Sequence, residues 1–517
     1  MQDENTLRDV AKDCVHCGFC LPACPTYQLW AEEMDSPRGR IYLVNQILDG
    51  AELSASAAEH FDRCLGCMAC MTACPSGVQY DQLIEAARAW TEEARSGDGV
   101  QPAVAARTGS TVAAGAADGG SGSSGSRGSG STGSGVAGSG VAGAGVADVR
   151  GADAAGTASA GPASGGRAPT VPRVPPAGKR PVRDRAARAA IFSLFPYPRR
   201  LRALTAPLQI VQRTGLDRRL ASSRLPGRVS PALGAALRLT PLAATWRKLP
   251  ERVPALGSRR AVVGMLTGCV QSVFFPQVNA STARVLAAEG CDVIIPPGQG
   301  CCGALSLHSG REAEAAAFAH RTIAMFEQAG VDAIVVNSAG CGSAMKEYER
   351  LLAGTERASD GSGWPERAAE ISSKVRDFAE LLADIGPVAR RHPLPVTAAY
   401  HDACHLAHAQ GITKEPRDLL RAIPGLNLVE VPDAGTCCGS AGVYNLLQPD
   451  AASELGGRKA EAVLAADAPL LISANPGCSL QIASALAERG EHVAIAHTAE
   501  VLDASIRGLP PSTLGIS

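Results

Sequence analysis

Two runs of cysteine carry the most specific chemistry in this 517-residue chain. CVHCGFCLPACP extends from Cys14 to Pro25, and CLGCMACMTACP repeats its spacing from Cys64 to Pro75. Each reads C-x2-C-x2-C-x3-C-P. In that spacing one short loop wraps three thiolates round a 4Fe–4S cluster while the fourth cysteine reaches a second cluster. The pattern works in pairs, and here it is paired. Cys14, Cys17, Cys20 and Cys74 are thus expected to hold one cluster, and Cys64, Cys67, Cys70 and Cys24 the other. Two tetrathiolate zinc sites would also take eight cysteines, but zinc gains nothing from the third cysteine of each run or from the trailing proline. That proline fixes the chain direction and removes an N–H that could not join a helix.

A second thiol pattern lies in the C-terminal half. Cys269, the tandem pair Cys301–Cys302 followed by Gly303, and Cys341 form one set; Cys404, the pair Cys437–Cys438 followed by Gly439, and Cys478 form another. Equivalent cysteines are separated by 135, 136 and 137 residues, the mark of an internal repeat. Adjacent thiols are poor candidates for inert core residues, so each set is expected to hold an additional iron–sulfur cluster or a zinc ion. Cys291 has no counterpart and reads as a core cysteine. HDACHLAH places His401, His405 and His408 at helical spacing, but no HExxH-type carboxylate accompanies them, so a capping or supporting role is expected rather than ligation.

The elements that must position these thiols follow from the hydrophobic pattern. In the first run-to-run interval, DSPRGRIYLVNQILDG reads as a helix with Ser36 as cap, Pro37 in its first turn and Gly50 past its end. Ile41, Val44, Ile47 and Leu48 then share one face that can shield the clusters. Arg38 and Arg40 read as surface arginines; nearer a cluster they would stabilise its reduced, more negative state. From Arg259 onward, apolar runs (AVVGMLTGC, CDVIIPPG, VDAIVVNSAGC) alternate with helices ending at glycine, and after Pro395 the series restarts (VTAAYHDAC, LNLVEVPDAGTCC, APLLISANPGC, HVAIAHTAEVL). Such alternation predicts parallel sheets covered on both faces, with ligands at the carboxyl ends of the strands, so each set of four thiols is expected to converge on its own crevice.

Composition sets the outer limits. From Ser96 to Arg180 the chain is mostly Gly, Ser, Ala, Pro and Val, without aromatic residues, Leu, Ile or Cys, which predicts a disordered linker. Its GSGSTG (Gly128 to Gly133) matches GxGxxG but lacks the flanking strand and helix, so no dinucleotide loop is read there. Residues 186–257 interleave basic and apolar residues at helix spacing. They read as amphipathic helices packed on a domain surface or, alternatively, as a docking arm for a partner subunit. With 49 basic and 50 acidic residues, the charge balance gives no reason to expect nucleic acid. No secretory leader or membrane-spanning run is read, and 17 cysteines without such a leader suit a reducing cytoplasm.

The fold class expected is therefore α/β: a helical two-cluster ferredoxin-like module (1–95), the linker (96–185), a helical connecting segment (186–257), and two repeated parallel-sheet domains (258–390 and 391–517). With CVHCGFCLPACPTYQL, DRCLGCMACMTACPSGVQY, GCCGA, SAGCGSAMKEY and CCGSAGVYNL in view, the chain resembles the iron–sulfur subunits of glycolate oxidase (glycolate dehydrogenase), which join a ferredoxin module to two cysteine-rich CCG domains. The resemblance implies an electron-transfer subunit. Flavin-containing partner subunits would oxidise glycolate or a similar 2-hydroxy acid, and a quinone or another acceptor would take the electrons, with peripheral attachment to the inner face of the membrane through the complex. Related CCG proteins act on glycerol 3-phosphate, lactate or heterodisulfides. In the last of these a final C-x2-C supplies a further thiol; here the corresponding stretches read CGSA from Cys341 and CSLQ from Cys478, which argues against disulfide-reducing chemistry. A zinc-stabilised docking protein beside a ferredoxin relay is the remaining alternative.

Overall fold

A computed structural model describes residues 4–96, 177–204, 235–236, 239, 248–354 and 363–516. Most of the Gly/Ser/Ala-rich stretch, including GSGSTG, lies outside the described residues, as does most of 205–247.

The front module is helical. Ser36 accepts a hydrogen bond from the Gly39 N–H at 3.0 Å, Pro37 occupies the first turn, and the helix runs Pro37–Leu48 with Gly50 beyond it at φ +97°. Ile41, Val44, Ile47 and Leu48 are buried as the pattern requires, packing with Leu7, Phe61, Leu83 and Trp90 from the helices Glu4–Lys12, Ala55–Arg63 and Tyr80–Ser96. Gly39 is obligatory for a steric reason, because a Cβ there would overlap the Glu33 carbonyl in the preceding 3-10 turn, Glu33–Asp35. Arg40 departs from the sequence reading. It is not a surface residue but is 1% exposed, so its charge is spent inside the module.

The C-terminal half contains two sheets. The first has the order β1-β3-β2-β4-β5, from β1 (Arg252–Val253), β2 (Ala261–Leu266), β3 (Cys291–Ile294), β4 (Ala333–Val336) and β5 (Val375–Asp377); only β1 is antiparallel. The second is wholly parallel with the order β7-β6-β8-β9, from β6 (Val396–His401), β7 (Leu426–Glu430), β8 (Leu470–Ser473) and β9 (Ala494–Ala496). Setting β1 aside, the two orders are the same. Register repeats as well: Leu266 pairs with Val336 and His401 with Ser473, at the carboxyl ends of the two central strand pairs. The apolar runs are near-continuous because helices cover both faces, as parallel sheets require.

Two features depart from the sequence reading. The repeats are not separate bodies, since Val263, Met265 and Val293 share one hydrophobic core with Tyr400, Ile472 and Leu502. The helices Pro276–Ala288 and Thr498–Arg507 meet between the sheets, where Arg284 pairs with Asp503 at 2.6 Å. The expected linker also ends earlier than Arg185. The Ala177 N–H donates to the Leu53 carbonyl at 2.9 Å, Arg180 pairs with Asp62 at 2.7 Å and Glu92 at 3.2 Å, and a helix begins at Val182. In the connecting segment, Ile191 and Phe192 of that helix are buried against Ala235, Val443 and Leu446. Its described part thus packs on the repeats.

Candidate functional site

The two cysteine runs of the front module fold into matching loops. His16 and Gly18 in the first, and Gly66 and Met68 in the second, all have positive φ (53°, 86°, 68° and 62°), at positions 50 residues apart like the cysteines themselves. Left-handed residues within such loops turn successive N–H groups inward, which makes a cradle for an anion. An arginine closes each cradle. Arg38 donates to the His16 carbonyl at 3.2 Å, and Arg88 donates to the Cys64 carbonyl. A Cβ at Gly18 or Gly66 would come within 2.9 Å of the respective guanidinium. Negative thiolate-bound clusters suit both cradles.

Cys14, Cys17, Cys20 and Cys74 line one cavity, whose wall also takes in Cys70 of the second run, and Cys17 is exposed. Cys24, Cys64, Cys67 and Cys70 are buried together deeper in the module. Burial opposes ionisation of Cys64, but Arg40, Arg88, the Tyr80 hydroxyl and the Gly66 N–H outweigh it and draw the thiol below its ordinary range. Arg40 is itself held by Asp35, His60 and Thr26: its guanidinium donates to the His60 carbonyl at 2.7 Å, the Asp35 carbonyl at 2.5 Å and Thr26 Oγ1 at 3.1 Å. The arginine the sequence placed on the surface is thus a buried cation facing the Cys64 set.

In each repeat the thiols gather where the strands end. Cys269 follows β2 and Cys341 follows β4, on either side of the point where strand order reverses; Cys404 and Cys478 stand likewise after β6 and β8. Cys269 Sγ lies 3.8 Å from Cys301 Sγ, and Cys404 Sγ lies 4.0 Å from Cys437 Sγ. The second thiol of each tandem pair is drawn down by its neighbours, Cys302 by Cys301 and Cys341, Cys438 by Cys437 and Cys478. Gly303 (φ +96°) and Gly439 (φ +87°) let the helices Glu312–Ala329 and Pro449–Ala465 pack on the pairs, since a Cβ would come within 3.0 Å of the Ala315 carbonyl or 2.8 Å of the Ala452 carbonyl.

The expected pair of separate crevices is one cavity. About 380 Å³ in volume, it is lined by Cys269, Cys301, Cys302 and Cys341 from one repeat and Cys404, Cys438 and Cys478 from the other; its remaining wall includes Phe195, Leu201, Phe274 and Leu446. The repeats merge their strand ends because their cores are fused. Cys291 is fully buried in β3, away from both sets.

The front module docks against the repeats through its second cysteine loop. Leu65, Cys67 and Ala69 are buried in one cluster with Cys404, Cys437 and Tyr444. The Tyr444 hydroxyl donates to the Arg63 carbonyl at 3.0 Å, Arg88 donates to the His308 carbonyl at 2.9 Å, and Arg350 pairs with Asp81 at 3.0 Å and Glu85 at 2.9 Å. The three histidines of HDACHLAH do not share a helix face. His401 ends β6, and His405 opens a single π-helical turn with Nδ1 3.7 Å from Cys404 Sγ. His408 bridges Thr72 Oγ1 at 2.9 Å and the Gly435 carbonyl at 3.0 Å. His401, which the sequence reading left out of ligation, lies beside Cys438 and Cys478; its one sequence signal is that the repeat offset sets it opposite Leu266. Lys459, also missed, is buried near the second thiol set and donates to the Asp433 carbonyl at 2.9 Å.

Paired cluster cradles joined to a duplicated thiol-lined sheet define an iron–sulfur protein of the cysteine-rich, CCG-containing class. Residues 10–78 match the 4Fe-4S dicluster domain, 263–346 and 398–483 match the cysteine-rich domain, and 183–240 match the linker region of the glycolate oxidase iron-sulfur subunit. The chain is 31% identical over 502 residues to a probable glycolate oxidase iron-sulfur subunit of Bacillus subtilis, covering 95% of this chain and 93% of that one. It is 31% identical over 486 residues to the glycolate oxidase iron-sulfur subunit of Escherichia coli, covering 92% and 90%. Lactate utilization protein A of Halalkalibacterium halodurans matches a shorter part, 31% identical over 242 residues, 47% of this chain and 96% of that one. The chain belongs to the family of glycolate oxidase iron–sulfur subunits.

Proposed function

We propose that this chain relays electrons from a flavin-bearing partner that oxidises glycolate, or a similar 2-hydroxy acid, to a quinone or another acceptor. The observation that carries this reading is the order of the thiol sets: exposed Cys17 at one end, the buried Cys64 set behind it, and Cys67 packed against Cys404 at the seam with the second repeat. When bound, iron–sulfur clusters accept and release single electrons at potentials set by charge, hydrogen bonds and exposure. Cys14, Cys17, Cys20 and Cys74 are assigned to the outer cluster; Cys24, Cys64, Cys67 and Cys70 to the inner one. Each repeat's four cysteines are assigned to a further metal centre.

The two ends differ in character. Around Cys17, Val15 is 69% exposed and Phe19 is 65% exposed, apolar surface of the kind a protein partner covers. At the other end the cavity wall is mostly apolar, with His308 and His405 among its polar groups, which suits a lipophilic acceptor that takes up protons on reduction. Thiol ligands of this number fit a reducing cytoplasm. Among the described residues no helix is long and apolar enough to cross a membrane, so contact with a membrane acceptor would be peripheral and made through the complex.

The test is to purify the chain anaerobically, alone and with its flavoprotein partners. Alone it should give reduced iron–sulfur signals with dithionite and no glycolate oxidation; with the partners it should couple glycolate oxidation to reduction of a short-chain quinone. Glycolate oxidation by the chain alone, or a colourless protein silent after dithionite, would overturn the proposal.

A further inference from the structure

His401 stands at the carboxyl end of β6, 1% exposed, and neither of its ring nitrogens makes a well-formed hydrogen bond; what it faces is the Cys438 thiol, which it helps to draw down. A buried polar group left without a partner costs about 1–3 kcal/mol, so an orphaned imidazole calls for an explanation. Its surroundings offer one. A ring nitrogen of His401, Cys438 Sγ and Cys478 Sγ all lie within 4.8 Å of one another, with all three residues buried. A neutral imidazole and thiolates are the donors that iron and zinc take up together.

The other repeat serves as an internal control. Leu266 ends β2 opposite Val336, as His401 ends β6 opposite Ser473. Leu266 and Val336 pack in an apolar cluster with Cys302. In the second repeat the corresponding space holds His401 and Ser473, and the Ser473 hydroxyl, like that of nearby Ser440, is also buried without a partner. Two copies of one scaffold thus present the same four cysteines; His308 comes near Cys302 in the first, but among the described residues only the second brings an imidazole nitrogen within 4.8 Å of two of its thiols.

We infer that His401 is a ligand of the second repeat's metal centre, giving it mixed sulfur–nitrogen coordination while the first repeat's centre is held by sulfur alone. The inference rests on the proposal that Cys404, Cys437, Cys438 and Cys478 hold a metal. Its consequence is that the two repeats are unequal. Where the imidazole takes the place of one of the four thiolates the centre is left less negative, and such a replacement in an iron–sulfur centre raises its potential. The centre beside Cys67 would then be the easier of the two to reduce.

The experiment uses the full chain, purified anaerobically with 15N-labelled histidine. Metal and sulfide are first counted in the native protein and in the Cys438→Ser/Cys478→Ser variant. An unchanged count means that the second repeat holds no metal, and overturns the underlying assignment together with the inference. Where the count falls, pulsed paramagnetic resonance of the reduced protein and X-ray absorption at the iron and zinc edges should show directly bound histidine nitrogen. That nitrogen should vanish in His401→Leu while the front-module signals persist. His401→Cys should keep its metal, lose the nitrogen and titrate at a lower potential than the native centre. A centre present without bound nitrogen, or nitrogen unchanged in both variants, would overturn the inference and leave the metal assignment standing.

Discussion

Cys67 of the front module and Cys404 of the second repeat are buried in a single cluster, although more than half the chain separates them in sequence. Burial, and after it the nearness of Cys404, push the Cys67 thiol well above its ordinary range. Their meeting joins the ferredoxin-like and duplicated halves at the point where both carry redox-capable thiols.

Arg40 should be indispensable to the inner set. Its side chain and that of Asp35 are 1% and 0% exposed, so removing the cation strands a buried carboxylate that His60 and Arg63 only partly compensate. Arg40→Met is expected to lose about 3–5 kcal/mol of stability and to lower the potential of the inner cluster. Arg40→Lys, which keeps the charge but not the fork of donors, should lose less. Denaturant titration and redox titration under argon measure the two effects, and an unchanged potential in a folded Arg40→Met protein would count against the electrostatic role.

Gly310 bears on the docking of the module. It has φ +78°, and a Cβ there would overlap the Arg88 carbonyl. Gly310→Ala is therefore expected to cost roughly 1–3 kcal/mol from backbone strain and overlap and to loosen the module on the first repeat. Faster proteolysis between module and repeat, with the front-cluster signals intact, is the expected readout.

Phe19 should matter only when the partner is present. Phe19→Glu places a charge on the exposed apolar rim beside Cys17 without touching the core. Dithionite-reduced spectra should match those of the parent, while glycolate-dependent acceptor reduction by the reconstituted complex should fall about tenfold, the effect of losing roughly 1.4 kcal/mol at an interface. Undiminished coupled activity would place the partner elsewhere.

Asp377 makes stability depend on pH in a definite direction. Burial pushes its carboxyl up to about 7. The folded chain therefore holds a proton that the unfolded chain has already released, and the favourable contribution is lost as pH rises through about 7. The Asp377 side chain also caps a helix, accepting from the Ala379 N–H at 2.8 Å, and asparagine can do the same. Asp377→Asn should gain about 1–4 kcal/mol over the parent at alkaline pH, with the gain shrinking toward pH 5. A gain independent of pH would show that the carboxyl does not titrate there.

Much of this was legible in the primary structure because it depends on local spacing. The two cysteine runs, the Ser36 cap and the alternation of strand and helix are all written within a few residues. Strands β1 and β5 were not, because RV and VRD are too short and too charged to show a period. Arg40 was misplaced because its burial depends on Asp35, His60 and Thr26 converging through the module's tertiary fold. The single cavity could not be foreseen from two equal repeats. It follows from a core shared between Met265 and Tyr400, a contact that no local pattern records. His401 meets Cys438 and Cys478 only after β6 and β8 pair, and its contrast with Leu266 has meaning only once the repeats are laid over each other.

Ala177 is hydrogen-bonded to Leu53, and the Arg180 N–H reaches the Arg95 carbonyl at 3.4 Å, so the chain returns to the front module at the place where it left. Anchor points that lie side by side set no minimum length on the chain that joins them. A change in the number of residues between Ser96 and Ala177 is therefore expected to leave both anchors, and every thiol, in place.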